Sequence, residues 1–149
     1  MHPSNVASTC AQCHRGVYEQ FATSVHSPLV TKTKKKLPAC SDCHSAHTIG
    51  RTDRQDFRLT IMSQCGNCHE DAEADYRTSV HRAGRQQNGG AATCGSCHGS
   101  HFIAAVADST SPVHPRNVPT LCGECHAKEP PVTKDFVRLP VTVPAYLES

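Results

Sequence analysis

This sequence predicts a mainly α chain of short helices and much irregular coil, with little or no β structure, on three observations. Five Cys-x-x-Cys-His motifs each fit one helical turn, and apolar residues recur at helical spacing after two of them. The apolar inventory is also thin: 149 residues hold no Trp, four Phe and three Tyr, and the mean hydropathy is −0.46. A chain of this kind cannot fill a conventional core with its own side chains.

The motifs are Cys10-Ala-Gln-Cys13-His14, Cys40-Ser-Asp-Cys43-His44, Cys65-Gly-Asn-Cys68-His69, Cys94-Gly-Ser-Cys97-His98 and Cys122-Gly-Glu-Cys125-His126, and they use all ten cysteines. This is the pattern of covalent c-type haem attachment. Thiols at i and i+3 face the same way on a helical turn, so both can form thioethers to the haem vinyl groups while the next residue offers its imidazole to the iron. Zinc sites, thioredoxin-like redox pairs and disulfide frameworks also use Cys-x-x-Cys, but none needs the histidine. With 11 histidines in 149 residues, finding one after all five pairs by composition alone has a probability on the order of 10⁻⁶. The expected cofactors are therefore five covalently bound haem c, with proximal ligands His14, His44, His69, His98 and His126. Five porphyrins would supply the apolar surface the sequence lacks, and the chain without them is expected to be unfolded.

Along the chain, Val17, Tyr18, Phe21 and Val25 are spaced for one face of a helix running from motif 1. Tyr76 and Val80 repeat the pattern after motif 3. Residues 48–56, and 86–92 with Gly89-Gly90, read as loops. The tail, with Pro130, Pro131, Pro140 and Pro144, reads as extended.

Successive motifs start 30, 25, 29 and 28 residues apart, whereas alternate motifs are 55, 54 and 57 apart, so the repeating unit holds two haems. The flanks agree. Phe21-Ala-Thr-Ser24-Val25-His26 follows motif 1 as Tyr76-Arg-Thr-Ser79-Val80-His81 follows motif 3, while motifs 2 and 4 continue as His44-Ser-Ala-His47 and His98-Gly-Ser-His101. The repeats run over roughly 1–56 and 57–112, with a partial one over 113–149, together a single pentahaem segment. His2-Pro3-Ser4-Asn5-Val6 before Cys10 matches His114-Pro115-Arg116-Asn117-Val118 before Cys122, and the closing Tyr146-Leu147-Glu148-Ser149 matches the start of the Val-His element. The chain is therefore expected to be an excerpt of a longer multihaem polypeptide.

Six histidines lie outside the motifs, His2, His26, His47, His81, His101 and His114, and all are candidate distal ligands. Axial imidazoles approach an iron from opposite faces, so His47 cannot share an iron with His44, nor His101 with His98. Each is expected to serve another haem, an adjacent odd-numbered one by spacing. His26 and His81 fit either the even haem ahead or the odd haem behind. Such cross-ligation would hold porphyrins close enough for fast electron hopping.

The formal charge of +2 describes the polypeptide alone; propionates of five haems would add about ten negative charges and make the holoprotein acidic, which argues against a nucleic-acid partner. The one basic run, Lys32 with Lys34, Lys35 and Lys36, reads as a solvated loop, or else as a docking patch for an acidic redox partner. No apolar stretch is long enough to span a membrane. Haem attachment of this type occurs outside the bacterial or archaeal cytoplasm or in organelles of bacterial descent, so a periplasmic or extracellular protein is expected, exported by a signal absent from this chain.

On these motifs, the Ser-x-His elements at Ser24 to His26 and Ser79 to His81, and the Cys-x-x-Cys-His-x-x-His forms ending at His47 and His101, the chain resembles the bis-histidine multihaem c-type cytochromes. The resemblance spans nearly the whole chain. It implies short helices around a closely stacked haem chain, six-coordinate low-spin irons, low reduction potentials, and electron transfer to redox protein partners, other cytochrome subunits or the rest of a longer chain. Some members carry respiratory electrons across the periplasm and others assemble into extracellular filaments. The alternative is an enzyme resembling the multihaem nitrite, hydroxylamine or tetrathionate-processing cytochromes, which needs an iron with an open sixth position. Six spare histidines for five irons show no ligand deficit, so no catalytic residue is assigned.

Overall fold

The computed structural model describes residues 5–82 and 92–126, which divide into two compact units after Ile103. In the first unit, α1 (Val6–Ala11) and α2 (Arg15–Ala22) flank the second half of motif 1, and α3 (Cys40–His44) is motif 2 itself. Then α4 (Gln55–Gly66) and α5 (Glu70–Thr78) flank the second half of motif 3, and α6 (Cys94–His98) is motif 4. In the second unit, α7 (Val118–His126) ends in motif 5. Among the described residues there is no strand, as expected for a mainly α chain, and no helix is long and apolar enough to cross a membrane. His2, the loop expected over 86–92 (all but Ala92) and the proline-bearing tail lie outside the described residues.

Local sequence accounts for the helices that carry the motifs. Helix α5 opens with Glu70, Asp71 and Glu73 at its positive end and closes with Arg77, which bonds Glu73 one turn back at 2.6 Å. Arg15 and Glu19 brace α2 in the same way at 3.0 Å. In the first unit, α1 packs on α2 and α3, and α4 packs on α3 and α5, so the helices follow the motifs in chain order.

Both helices after the odd motifs stop earlier than the apolar spacing suggests, and for one reason. Thr23 Oγ1 donates to the Gln20 carbonyl at 2.9 Å, as Thr78 Oγ1 does to Asp75 at 3.0 Å. Hydroxyls that bond the preceding turn compete with the helical ladder. Val25 then turns its N–H to the Ile103 carbonyl at 2.8 Å, so it lies outside α2. The loop expected over 48–56 is likewise shorter, since α4 begins at Gln55.

Few apolar side chains are inside. Among the described residues only Met62 and Ala104 are buried apolar side chains, whereas Ile49 is 74% and Val80 82% exposed. The other fully buried side chains are small and polar: Ser24, Ser27 and Ser111. Such a chain shields little apolar area from water, the main source of folding free energy. The helices are held instead by local bonds and a few long-range ones, such as Tyr76 OH to the Ala92 carbonyl at 3.1 Å, which ties α5 to the approach of motif 4.

Candidate haem-binding site

Motifs 1 and 3 are built alike. The first cysteine closes a helix, and its carbonyl accepts the N–H of the motif histidine at 2.9 Å in both cases, Cys10 from His14 and Cys65 from His69. The two cysteines are thus one helical turn apart, as the spacing requires. Each histidine then leaves the helical conformation, with φ −109, ψ 47 at His14 and φ −114, ψ 57 at His69, and starts the next helix. The break carries the imidazole away from the helix that bears the first thiol.

Motifs 2 and 4 are five-residue helices closed at both ends. In α3, Asp42 Oδ2 accepts the Ala39 N–H at 2.8 Å and Oδ1 accepts from Lys36 Nζ at 3.2 Å, and these bonds hold its carboxyl below the usual range. In α6, Thr93 and Ser96 bond reciprocally: Thr93 N–H donates to Ser96 Oγ at 3.0 Å and Ser96 N–H to Thr93 Oγ1 at 3.3 Å. Both helices end at a residue of positive φ, Ser45 at 64° and Gly99 at 78°. That turn takes the chain out of the helix, so the second histidine of each His-x-x-His leaves the neighbourhood of the first. The helical i, i+3 geometry assumed from sequence is replaced by a sharp reversal.

Consecutive motifs touch. The thiol of Cys40 is hydrogen-bonded with Cys10, and that of Cys65 with Cys94, while Cys43 lies close to Cys65 and Cys68. Motifs 1, 2, 3 and 4 therefore form one unbroken succession. Burial first, then these neighbours, raises the pKa of Cys40, and of Cys65 to about 11; for Cys43 the causes after burial are Asp42 and Cys68. None of the ten cysteines is in a disulfide. The raised pKa of Cys40, Cys43 and Cys65 disfavours the thiolate that a zinc site would need.

Two pairs of imidazoles face each other in the first unit. The ring centroids of His44 and His101 are 6.0 Å apart with planes at 13°, and those of His26 and His69 are 6.2 Å apart at 38°. Metal–imidazole nitrogen bonds of about 2 Å on either side of one iron place the two centroids about 6 Å apart. The separations match those of two imidazoles on one metal. His26 is held below its ordinary pKa by burial and then by His69, and His44 by burial, then His101, then His14. Both are thus neutral, the form that ligates. Among the described residues no three of His, Cys, Asp and Glu converge to cage a metal by themselves; an axial pair is complete only with the four nitrogens a porphyrin brings. The residues present fit haem c. No protein-family model, curated protein or solved structure matches the chain.

The ring contacts are not those that the ligand pairing expected from spacing would bring together. His101 faces the histidine of motif 2, an even motif, and not an odd neighbour. His26 faces motif 3, the odd motif ahead, and neither the even motif ahead nor the odd one behind. A tertiary contact lies beside both histidines: Ser24, wholly buried, bonds the backbone of Ile103, 79 residues away. Without its hydroxyl the N–H groups of Ile103 and His26 would each lose a partner, at about 1–3 kcal/mol apiece where buried. Sequence reading missed Ile103, and it missed Phe57, whose ring lies parallel to His44 at 5.4 Å.

The remaining candidates are placed more simply. His14, His47, His69, His81 and His98 are exposed, and His47 gives its N–H to Ser45 Oγ. In the second unit, Asn117 Nδ2 donates to the carbonyls of Ser109 and Ser111, fastening the turns before α7, whose last residues carry Cys122, Cys125 and His126. His114 Nδ1 accepts the Arg116 N–H at 3.3 Å. That tautomer keeps its proton on Nε2, so distal ligation through Nε2 requires this bond to open. In the basic run, Lys32 bonds the Pro28 carbonyl and Lys36 pairs with Asp42.

Proposed function

We propose that this chain is an electron-transfer multihaem c-type cytochrome, carrying five covalent haems on its ten motif cysteines and passing electrons between redox protein partners or along a larger cytochrome assembly. The two imidazole pairs at 6.0 and 6.2 Å carry this reading. Bound haem would supply one-electron centres of low potential. The polypeptide supplies their spacing: thiol contacts from motif 1 through motif 4 keep successive attachment points adjacent, and distal histidines taken from the other two-haem repeat lock them in place. Filling the sixth position with imidazole closes an iron to substrate, which favours a carrier over an enzyme. The site of function is periplasmic or extracellular, where such attachment takes place.

The test is intact mass with visible absorption and low-temperature EPR on holoprotein matured in a host that attaches haem c. Five covalent haems, low-spin and indifferent to carbon monoxide, are expected. A protein that takes up no haem sinks the reading, and a stoichiometric carbon monoxide complex moves it towards an enzyme.

A further inference from the structure

Among the described residues, Ser24 and Ile103 form a long-range junction between the segments that carry His26 and His101. Ile103 N–H donates to Ser24 Oγ at 3.2 Å, Ser24 Oγ donates back to the Ile103 carbonyl at 3.3 Å, and the Val25 N–H reaches that same carbonyl at 2.8 Å. The His26 N–H also donates to Ser24 Oγ at 3.3 Å. Each of the two residues lies two positions from a histidine that faces a motif imidazole: Ser24 from His26, opposite His69, and Ile103 from His101, opposite His44. Ser24 is 0% exposed, so its hydroxyl is shielded from bulk water. Among the described residues, its counterpart in the second repeat, Ser79, bonds locally, to the Tyr76 carbonyl and from the Arg82 N–H.

We infer that Ser24 is a shared positioning residue: through one hydroxyl it sets the distal histidines of two different haem sites, those of motifs 2 and 3, and so couples their coordination. This rests on the haem-binding reading above. The exchange is reciprocal, since the first repeat gives His26 to motif 3 of the second while the second gives His101 to motif 2 of the first. A hydroxyl that merely stabilised the fold would loosen all sites alike, whereas this one acts on two named irons. Those two are adjacent in the motif succession, so the clip sits where one repeat hands electrons to the next.

The experiment uses the holoprotein and four variants. His26→Ala and His101→Ala each abolish one low-spin EPR signal and admit one carbon monoxide, which identifies the two sites. Ser24→Ala, with five haems still counted by intact mass, is expected to diminish both of those signals together and to raise carbon monoxide binding at both, leaving the others unchanged. Ser24→Thr, which keeps the hydroxyl, restores both. A five-haem Ser24→Ala protein with an unaltered spectrum, or with only one site changed, overturns the proposal. Hydrogen exchange on unmutated holoprotein supplies a second measurement should Ser24→Ala fail to accumulate: the amides of Val25 and Ile103 are expected to exchange slowly and at one common rate, and independent exchange overturns the coupling. Absence of haem from the unmutated protein overturns the functional reading itself, an outcome distinct from either.

Discussion

Gly99 and Ser45 occupy equivalent places after motifs 4 and 2, with φ of 78° and 64° and extended ψ of −178° and 158°, a region only glycine enters without cost. A Cβ at Gly99 would also stand 2.7 Å from the Phe102 carbonyl oxygen. Gly99→Ala is therefore expected to destabilise the holoprotein by about 1–3 kcal/mol in denaturant unfolding and to displace His101. Ser45→Gly should act in the opposite sense, raising stability by about 1 kcal/mol or less, and an equal loss from both substitutions would contradict the strain argument. At this scale the backbone of the motifs was legible in the sequence, and the tertiary contacts of the other histidines were not. A Cys-x-x-Cys-His motif is local, so its turn could be read directly. The ring contacts of His26 and His101 lie beside the meeting of Ser24 with Ile103, a contact that no residue spacing encodes.

Helices of five residues have no intrinsic stability in water, so those of motifs 2 and 4 depend on their caps. Asp42→Ala removes the acceptor of the Ala39 N–H, and Thr93→Ala opens the reciprocal bonds with Ser96. Each is expected to cost about 1 kcal/mol, read as a lowered midpoint of thermal unfolding; no change would show that the haem, not the cap, holds the turn. In the second unit, Asp108 Oδ1 accepts both the N–H and the hydroxyl of Thr110, at 2.9 and 2.8 Å, and these bonds, backbone first, lower its pKa. Because the folded value is the lower one, this contribution is complete above the ordinary carboxylate range and is lost as pH falls below it. The Thr110 amide shift should report a midpoint under the usual value of about 3.9, and a midpoint above it would contradict the bond. Helix type was readable from periodicity, but helix ends were not: Thr23 and Thr78 stop α2 and α5 through side-chain bonds that apolar spacing does not register.

At the scale of the whole molecule, a polypeptide with so little core fits the proposal that haem supplies the rest. With Met62 and Ala104 its only buried apolar side chains among the described residues, the chain made without haem attachment is expected to give a disordered far-ultraviolet spectrum and no cooperative denaturant transition; a sigmoidal transition would show a core that the sequence conceals. The alternation of motifs, legible in their spacing, has a backbone counterpart: motifs 1 and 3 break at histidine, and motifs 2 and 4 are closed short helices. What would join the repeats, the proposed reciprocal exchange of His26 and His101, rests on contacts made only in three dimensions. Its most direct test is to locate the irons in crystals of the holoprotein by anomalous scattering at the iron edge. The account predicts one iron between the imidazoles of His44 and His101 and another between those of His26 and His69; irons ligated by other histidine pairs, or none beside these four rings, would contradict it.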